Sequence, residues 1–159
     1  PQQFFAPLAV ISIADRAAGN PDTGITVDDL RAWERQHGRL PDGAFVAMNS
    51  GWDQRVGDSQ AFLNADAEGV LHFPGFSGEA AQFLTEERDI VGAGVDTLSL
   101  DVGTSTDFGA HLTFLPSGKY GLELMANLDD VPPAGATLIV GAPKHQGGSG
   151  GPARVFAVS

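Results

Sequence analysis

Residues 77–95 read SGEAAQFLTEERDIVGAGV, and two hydrophobic periodicities meet inside them. Ser77 offers a hydroxyl to cap a helix, and Glu79 places a negative charge in the first turn, where the helix dipole favours it. Ala80, Ala81, Phe83 and Leu84 give that helix one buried face, and Arg88 lies near its end with the favourable sign. The pattern predicts a helix over 78–87. Ile90, Val91, Ala93 and Val95 follow almost at once, an apolar run that reads as a buried strand. A helix running directly into a buried β-branched strand marks an α/β unit rather than a sandwich.

Upstream, residues 4–15 (FFAPLAVISIAD) contain an apolar run with Val10, Ile11 and Ile13, which predicts a buried strand over 8–14. A loop follows at 17–24, AAGNPDTG. Thr26 then stands at an N-cap with Asp29 three residues on, a weaker capping box. Val27, Leu30, Trp33 and His37 share one stripe of a helix over 27–37 that ends at Gly38. His37 is a helix-end histidine near the negative end of the dipole, not a ligand. A second buried strand over 44–48 leads into the turn Ser50, Gly51, Trp52, where the indole either lines a pocket or sits in the core or at its rim. Residues 53–68 are polar and irregular, surface loop or frayed helix. His72, in a loop beside Phe73 and Pro74, is read as structural.

Downstream of Val95 the chain breaks at Asp96 into a polar segment with Thr97, Ser99 and Asp101. His111 and Glu123 follow, twelve positions apart and separated by the turn signal Pro116, Ser117, Gly118. That spacing exceeds a single helix face, so two ligands of one metal would have to meet across a loop, with the imidazole from one element and the carboxylate from the start of the next. Two readings fit such a pair: ligands of a metal such as Zn²⁺ or Mn²⁺, or a hydrogen-bonded structural contact. Residues 129–135 form a turn with two prolines, 136–141 a strand, and 152–159 a last strand. Between these strands GGSGG at 147–151 reads as a mobile hairpin or lid.

Several separated pieces taken together resemble the metal-dependent cyclase family, the group of bacterial kynurenine formamidases, isatin hydrolases and related amide or lactone hydrolases. They are HFPGFSGEAAQFL at 72–84, GVDTLSLD at 94–101, Ala110 with His111, LELMANLD at 122–129, SGGPARVFA at 149–157, and the Ser50, Gly51, Trp52 turn, with serine where the family has threonine. The resemblance implies an α/β fold of the swivelling β/β/α type, a mixed sheet with flanking helices, with residues 1–159 as one domain. It implies a hydrolase that opens a small amide, lactam or lactone, formylkynurenine-like or isatin-like, with a water activated by zinc or manganese. In that setting His111 and Glu123 are metal ligands, and Trp52 and Ser149 are substrate-pocket candidates.

One family element is missing. The His-rich segment HxGTHxDxPxH, which carries most of the ligands and the general base, is expected upstream of Pro1. The four histidines present, His37, His72, His111 and His145, stand far apart. No catalytic residue is therefore assigned within this chain, which is expected to be the C-terminal portion of a cyclase-like domain and inactive alone. The remaining ligands would come from an upstream segment or a partner chain. A homo-oligomer is expected, with Phe4, Phe5 and apolar side chains of 108–114 covered by another chain. The alternative is a non-catalytic structural subunit or degenerate homologue that has lost the metal.

Composition excludes other classes. A net charge of −11, a pI near 4.4 and only nine Lys and Arg leave no basic surface for nucleic acid or an anionic membrane. No run of about 18 apolar residues could span a bilayer. With zero cysteines there are no disulfides or thiolate sites, while the compartment stays open between cytoplasm and secretion. The GAGVDT run at 92–97 lacks the third glycine of a dinucleotide fingerprint, and Ser149 lies in no G-x-S-x-G elbow.

Overall fold

The computed structural model describes residues 2–159. The 77–95 junction forms as its pattern predicts. Ser77 Oγ accepts the Ala80 N–H at the start of a helix, Gly78–Glu86, and a strand, Ile90–Val95, follows it. In chain order the elements are β1 (Phe5–Ser12), α1 (Ala14–Gly19), β2 (Gly24–Ile25), α2 (Val27–His37), β3 (Ala44–Asn49), α3 (Ser59–Leu63), β4 (Gly75–Phe76), α4 (Gly78–Glu86), β5 (Ile90–Val95), α5 (Gly109–Phe114), β6 (Tyr120–Leu122), β7 (Ala136–Gly141) and β8 (Arg154–Val158). Short 3₁₀ turns precede β1, follow Gly51 and precede β7.

Six strands form one mixed sheet in the order β6-β5-β3-β1-β7-β8. β1, β3, β5 and β6 are parallel, and β7 and β8 are antiparallel additions on the far side. This is the mixed sheet with flanking helices that the family resemblance implies. β2 and β4 pair separately as a two-residue parallel ladder, too short for any periodicity to show.

The parallel centre is covered on both faces, which is why β3 is buried at every position and shows no polar alternation. On the helix side Ile11, Val46, Met48, Ala93 and Val95 pack with Leu30, Trp33, Ala80 and Leu84. On the other side Leu8, Val10, Phe45 and Ala47 meet Met125, Leu128 and Leu138. Gly92 and Gly94 have their explanation here. A Cβ at Gly94 would lie 2.8 Å from the Phe45 ring and 2.5 Å from Met125 Sδ, so these glycines admit an aromatic ring, not a phosphate.

Two boundaries differ from the sequence reading. The first strand runs 5–12 rather than 8–14, and the expected 17–24 loop gives up its first three residues to α1 and Gly24 to β2. β7 recruits Phe5, Ala6 and Pro7 into the sheet, whereas pairing to β3 begins at Leu8; the missing Pro7 N–H therefore costs no β3 bond. After Ile13 the Ala-rich segment turns helical, and Arg16 is held by Asp29 Oδ1 and Oδ2 at 2.9 and 2.7 Å and by Thr23 Oγ1 at 2.8 Å. Those partners lie too far along the chain for local propensity to reveal.

α2 is fastened at its start and at its middle. Thr26 and Asp29 form a full reciprocal capping box, and Trp33 Nε1 donates to the carbonyls of Val10 and Pro133. Arg88 does more than neutralise a helix end. Its guanidinium makes two 2.7 Å bonds to Glu34 and lies over the Phe83 ring, clamping α2 to α4.

Candidate functional site

The site is assembled at the carboxyl ends of β5 and β6, the end of a parallel sheet where ligands bind in open α/β folds. His111 enters on α5. That helix starts without a local cap, because Phe108 at its N-cap position has a left-handed backbone (φ 52°) and no side-chain oxygen. Asp101 substitutes from the loop after β5. Its Oδ1 accepts the Ala110 N–H at 2.6 Å, and its Oδ2 accepts from the His111 backbone N–H at 3.3 Å and from His111 Nδ1 at 2.6 Å. Asp101 is 3% exposed.

Gly75 makes room for that loop. A Cβ there would collide with the Asp101 and Val102 backbone, and the Phe76 N–H donates to the Leu100 carbonyl at 2.7 Å. Phe76 in turn stacks edge-on against Phe114 of α5. The two-residue strand β4 thus sets where Asp101 and α5 stand.

Glu123 follows β6 directly. The parallel register Gly92↔Tyr120 to Gly94↔Leu122 carries its backbone beside the end of β5. The carboxylate therefore comes from the end of a strand rather than from the start of an element, as the sequence reading had it. Glu123 Oε1 accepts the Leu100 N–H at 3.3 Å and lies 3.4 Å from His111 Nε2. Consecutive residues 100 and 101 thus address both members of the pair. The next residue, Leu124, has φ +59°, a strained conformation for a branched side chain. It is held by Leu124 N–H to Thr97 O and Met125 N–H to Val95 O, each at 3.0 Å.

The pair opens onto a cavity of about 900 Å³ walled by Leu100, Leu115, Leu122 and Met125 among others. Ser149 lines the same cavity from the connection between β7 and β8. Tyr120 lines it too, but burial pushes its hydroxyl up to about 12, so the neutral phenol is no base near neutrality. Trp52 lies elsewhere. It is 1% exposed, its Nε1 donates to the Phe62 carbonyl at 2.9 Å, and Arg55 stacks 3.8 Å over the ring. It is not among the cavity-lining residues.

The Trp52 turn is nevertheless tied to the site. Asp96, at the end of β5 and 1% exposed, accepts from Ser50 N–H (2.9 Å), Ser50 Oγ (2.6 Å) and Trp52 N–H (3.0 Å). Burial pushes its carboxyl up, against the pull of those donors. Asp53 Oδ2 accepts the Asn127 N–H just beyond Glu123. Asp96 and Asp101 were the polar breaks in the pattern after Val95, and nothing in their spacing showed which backbone each would hold.

The other assigned histidines lie away from this site. His37 packs on Trp33 with ring centroids 5.0 Å apart. His72 bridges Asp22 and Asp66. Of the apolar side chains expected to need a covering chain, Phe5, Phe108 and Leu112 are exposed, but Phe114 is fully buried against Phe76 and Phe4 rests edge-on against Tyr120. The inward side of α5 buries Phe114 without outside help.

Comparison with known proteins places this geometry in context. The family described as "Putative cyclase" matches residues 1–102. An isatin hydrolase of Roseibium aggregatum is 38% identical over 161 residues, covering 99% of this chain and 60% of that protein. The structure of isatin hydrolase A from Ralstonia solanacearum superposes with a TM-score of 0.94 at 42% identity, over 99% of this chain and 61% of its own. That of an isatin hydrolase bound to the product analogue thioisatinate superposes with a TM-score of 0.93 at 38% identity, over 98% and 60%. The chain thus spans about three fifths of the length of these relatives.

Proposed function

The chain belongs to the cyclase family, and from that premise we propose that it forms the larger part of an isatin-hydrolase-like enzyme, one that opens a small cyclic amide with a metal-activated water. The observation that carries this reading is the pairing of His111 Nε2 with Glu123 Oε1 at 3.4 Å on the wall of a cavity of mixed apolar and polar lining. The likeness to isatin hydrolases over nearly the whole chain supplies the substrate class.

The donor set fits a divalent metal. An imidazole nitrogen and a carboxylate oxygen face each other, about 30% and 38% exposed, and both suit Zn²⁺ or Mn²⁺. When bound, such a metal supplies an acidified water for attack on the carbonyl. The chain's own residues do the rest. Leu100, Leu115, Leu122 and Met125 present apolar surface to the substrate ring and exclude water from it. Ser149, Gly150 and Gly151 line the same cavity, and a serine hydroxyl in a glycine-rich segment is suited to hold a carbonyl or the carboxylate of the opened product.

Two protein ligands are fewer than the three a catalytic zinc takes, and among the described residues no group of three or more His, Cys, Asp or Glu is arranged to hold a metal ion. We assign the remaining ligands and the general base to sequence outside residues 1–159, as an upstream segment or a partner chain. The test is isatin hydrolysis by the protein expressed from its whole reading frame, with Zn²⁺ or Mn²⁺ supplied. Ring opening that requires the metal is expected. Absence of turnover of isatin and of formylkynurenine-like amides by metal-loaded protein would overturn the reading.

A further inference from the structure

We propose that Asp101 is the positioning residue of this site: it fixes the tautomer and direction of the His111 imidazole, so that Nε2 turns its lone pair to Glu123. The inference rests in part on the reading of His111 and Glu123 as ligands, and the experiment below separates the two.

Asp101 faces donors alone. Oδ1 receives the Ala110 N–H and Oδ2 the His111 N–H, and both are main-chain groups that cannot reverse their roles. His111 Nδ1 lies 2.6 Å from the same Oδ2, a short contact to an ionised acceptor, the class of hydrogen bond that is stronger than neutral ones. Nδ1 must then carry a proton, and in the neutral ring Nε2 is left as the acceptor nitrogen. It faces Oε1 of Glu123, which already accepts the Leu100 N–H. Two acceptor atoms 3.4 Å apart repel unless a proton or a metal cation lies between them. A carboxylate behind an imidazole whose far nitrogen meets a metal is the arrangement that makes histidine a better ligand.

A second consequence follows from the same atoms. The carboxylate that orients the ring also caps α5, whose own N-cap residue Phe108 offers no oxygen. Helix and imidazole are therefore held by one group. A mere cap would require neither the short Nδ1 contact nor the defined tautomer.

Asp101→Asn separates these roles. The asparagine Oδ1 can still accept the Ala110 N–H, but its amide can only donate towards Nδ1, which drives the ring proton to Nε2. The experiment is nitrogen-15 NMR of the His111 ring in the metal-free whole protein, beside titration with Zn²⁺ and Mn²⁺. We expect Nδ1–H in the wild type, Nε2–H in Asp101→Asn, and metal affinity about 10–100-fold weaker in the variant. Asp101→Ser, which keeps a capping oxygen and leaves Nδ1 without its carboxylate, should also lose the Nδ1–H signature. A wild-type spectrum showing Nε2–H overturns the proposal without recourse to any variant, as does an unchanged tautomer in both variants. If the tautomer inverts while the wild type binds neither metal, the positioning role stands and the metal reading fails.

Discussion

His111 Nε2 stands 3.4 Å from Glu123 Oε1, although one side chain comes from a helix and the other from the residue after a strand. A salt bridge and a half-assembled metal site share that geometry, and mutation separates them. With the whole protein, His111→Ala and Glu123→Ala should each lower metal affinity and isatin turnover by at least about 100-fold, more than the loss of an outer-sphere partner. Metal content and hydrolysis rate are the readouts. Full metal loading with an undiminished rate in both variants would make the pair structural.

Leu124 occupies a left-handed backbone conformation immediately after Glu123. Relieving it with Leu124→Gly should add about 1 kcal/mol of stability, partly offset by the greater entropy of glycine in the unfolded chain. Since Leu124 also lines the cavity, KM for an isatin-like substrate should rise. A lower melting temperature in the variant would show that the Leu124 side chain contributes more than its backbone costs.

The Arg88–Glu34 clamp joins two helices through side chains that are only 11% and 13% exposed. Glu34→Ala should destabilise the fold by roughly 3 kcal/mol, because it strands a buried guanidinium. The hydrogen bond from Arg88 holds the Glu34 carboxyl below its ordinary value of 4.5. The sign follows from that direction: the contribution is complete above pH 4.5 and disappears as pH falls through the lower folded value. Urea unfolding between neutral pH and pH 3 should show a steeper acid loss in the wild type than in Glu34→Ala.

His72 behaves in the opposite sense. Asp22, and after it Asp66, raise the imidazole above 6.5, so its contribution is present below pH 6.5 and lost as pH rises through the folded value. His72→Gln should flatten this part of the stability profile between about pH 6 and 8. A wild-type profile without slope in that window would show that the two carboxylates do not hold the ring in solution.

Local pattern determined a good deal of this protein. The Ser77 cap, the Ala80 to Leu84 face and the apolar run after Asp89 specify α4 and β5, and the Thr26–Asp29 box specifies the start of α2, because each depends on neighbours a few residues away. Twelve-residue separation showed only that His111 and Glu123 could not share a helix face, and it was the resemblance of the family pieces that paired them as expected ligands. What tertiary structure decided was every relationship that spans elements. It placed Trp52 beneath Arg55 rather than on the cavity wall, turned Arg88 from a helix-end charge into a clamp, and buried Phe114 against Phe76. It also brought Asp101 behind His111, through the passage of the 100–102 segment against Gly75. Hydrophobic periodicity reports which face of an element is buried, but direction-dependent hydrogen bonds form only after strands are in register, and in this chain the register of β5 with β6 is what sets a carboxylate beside an imidazole.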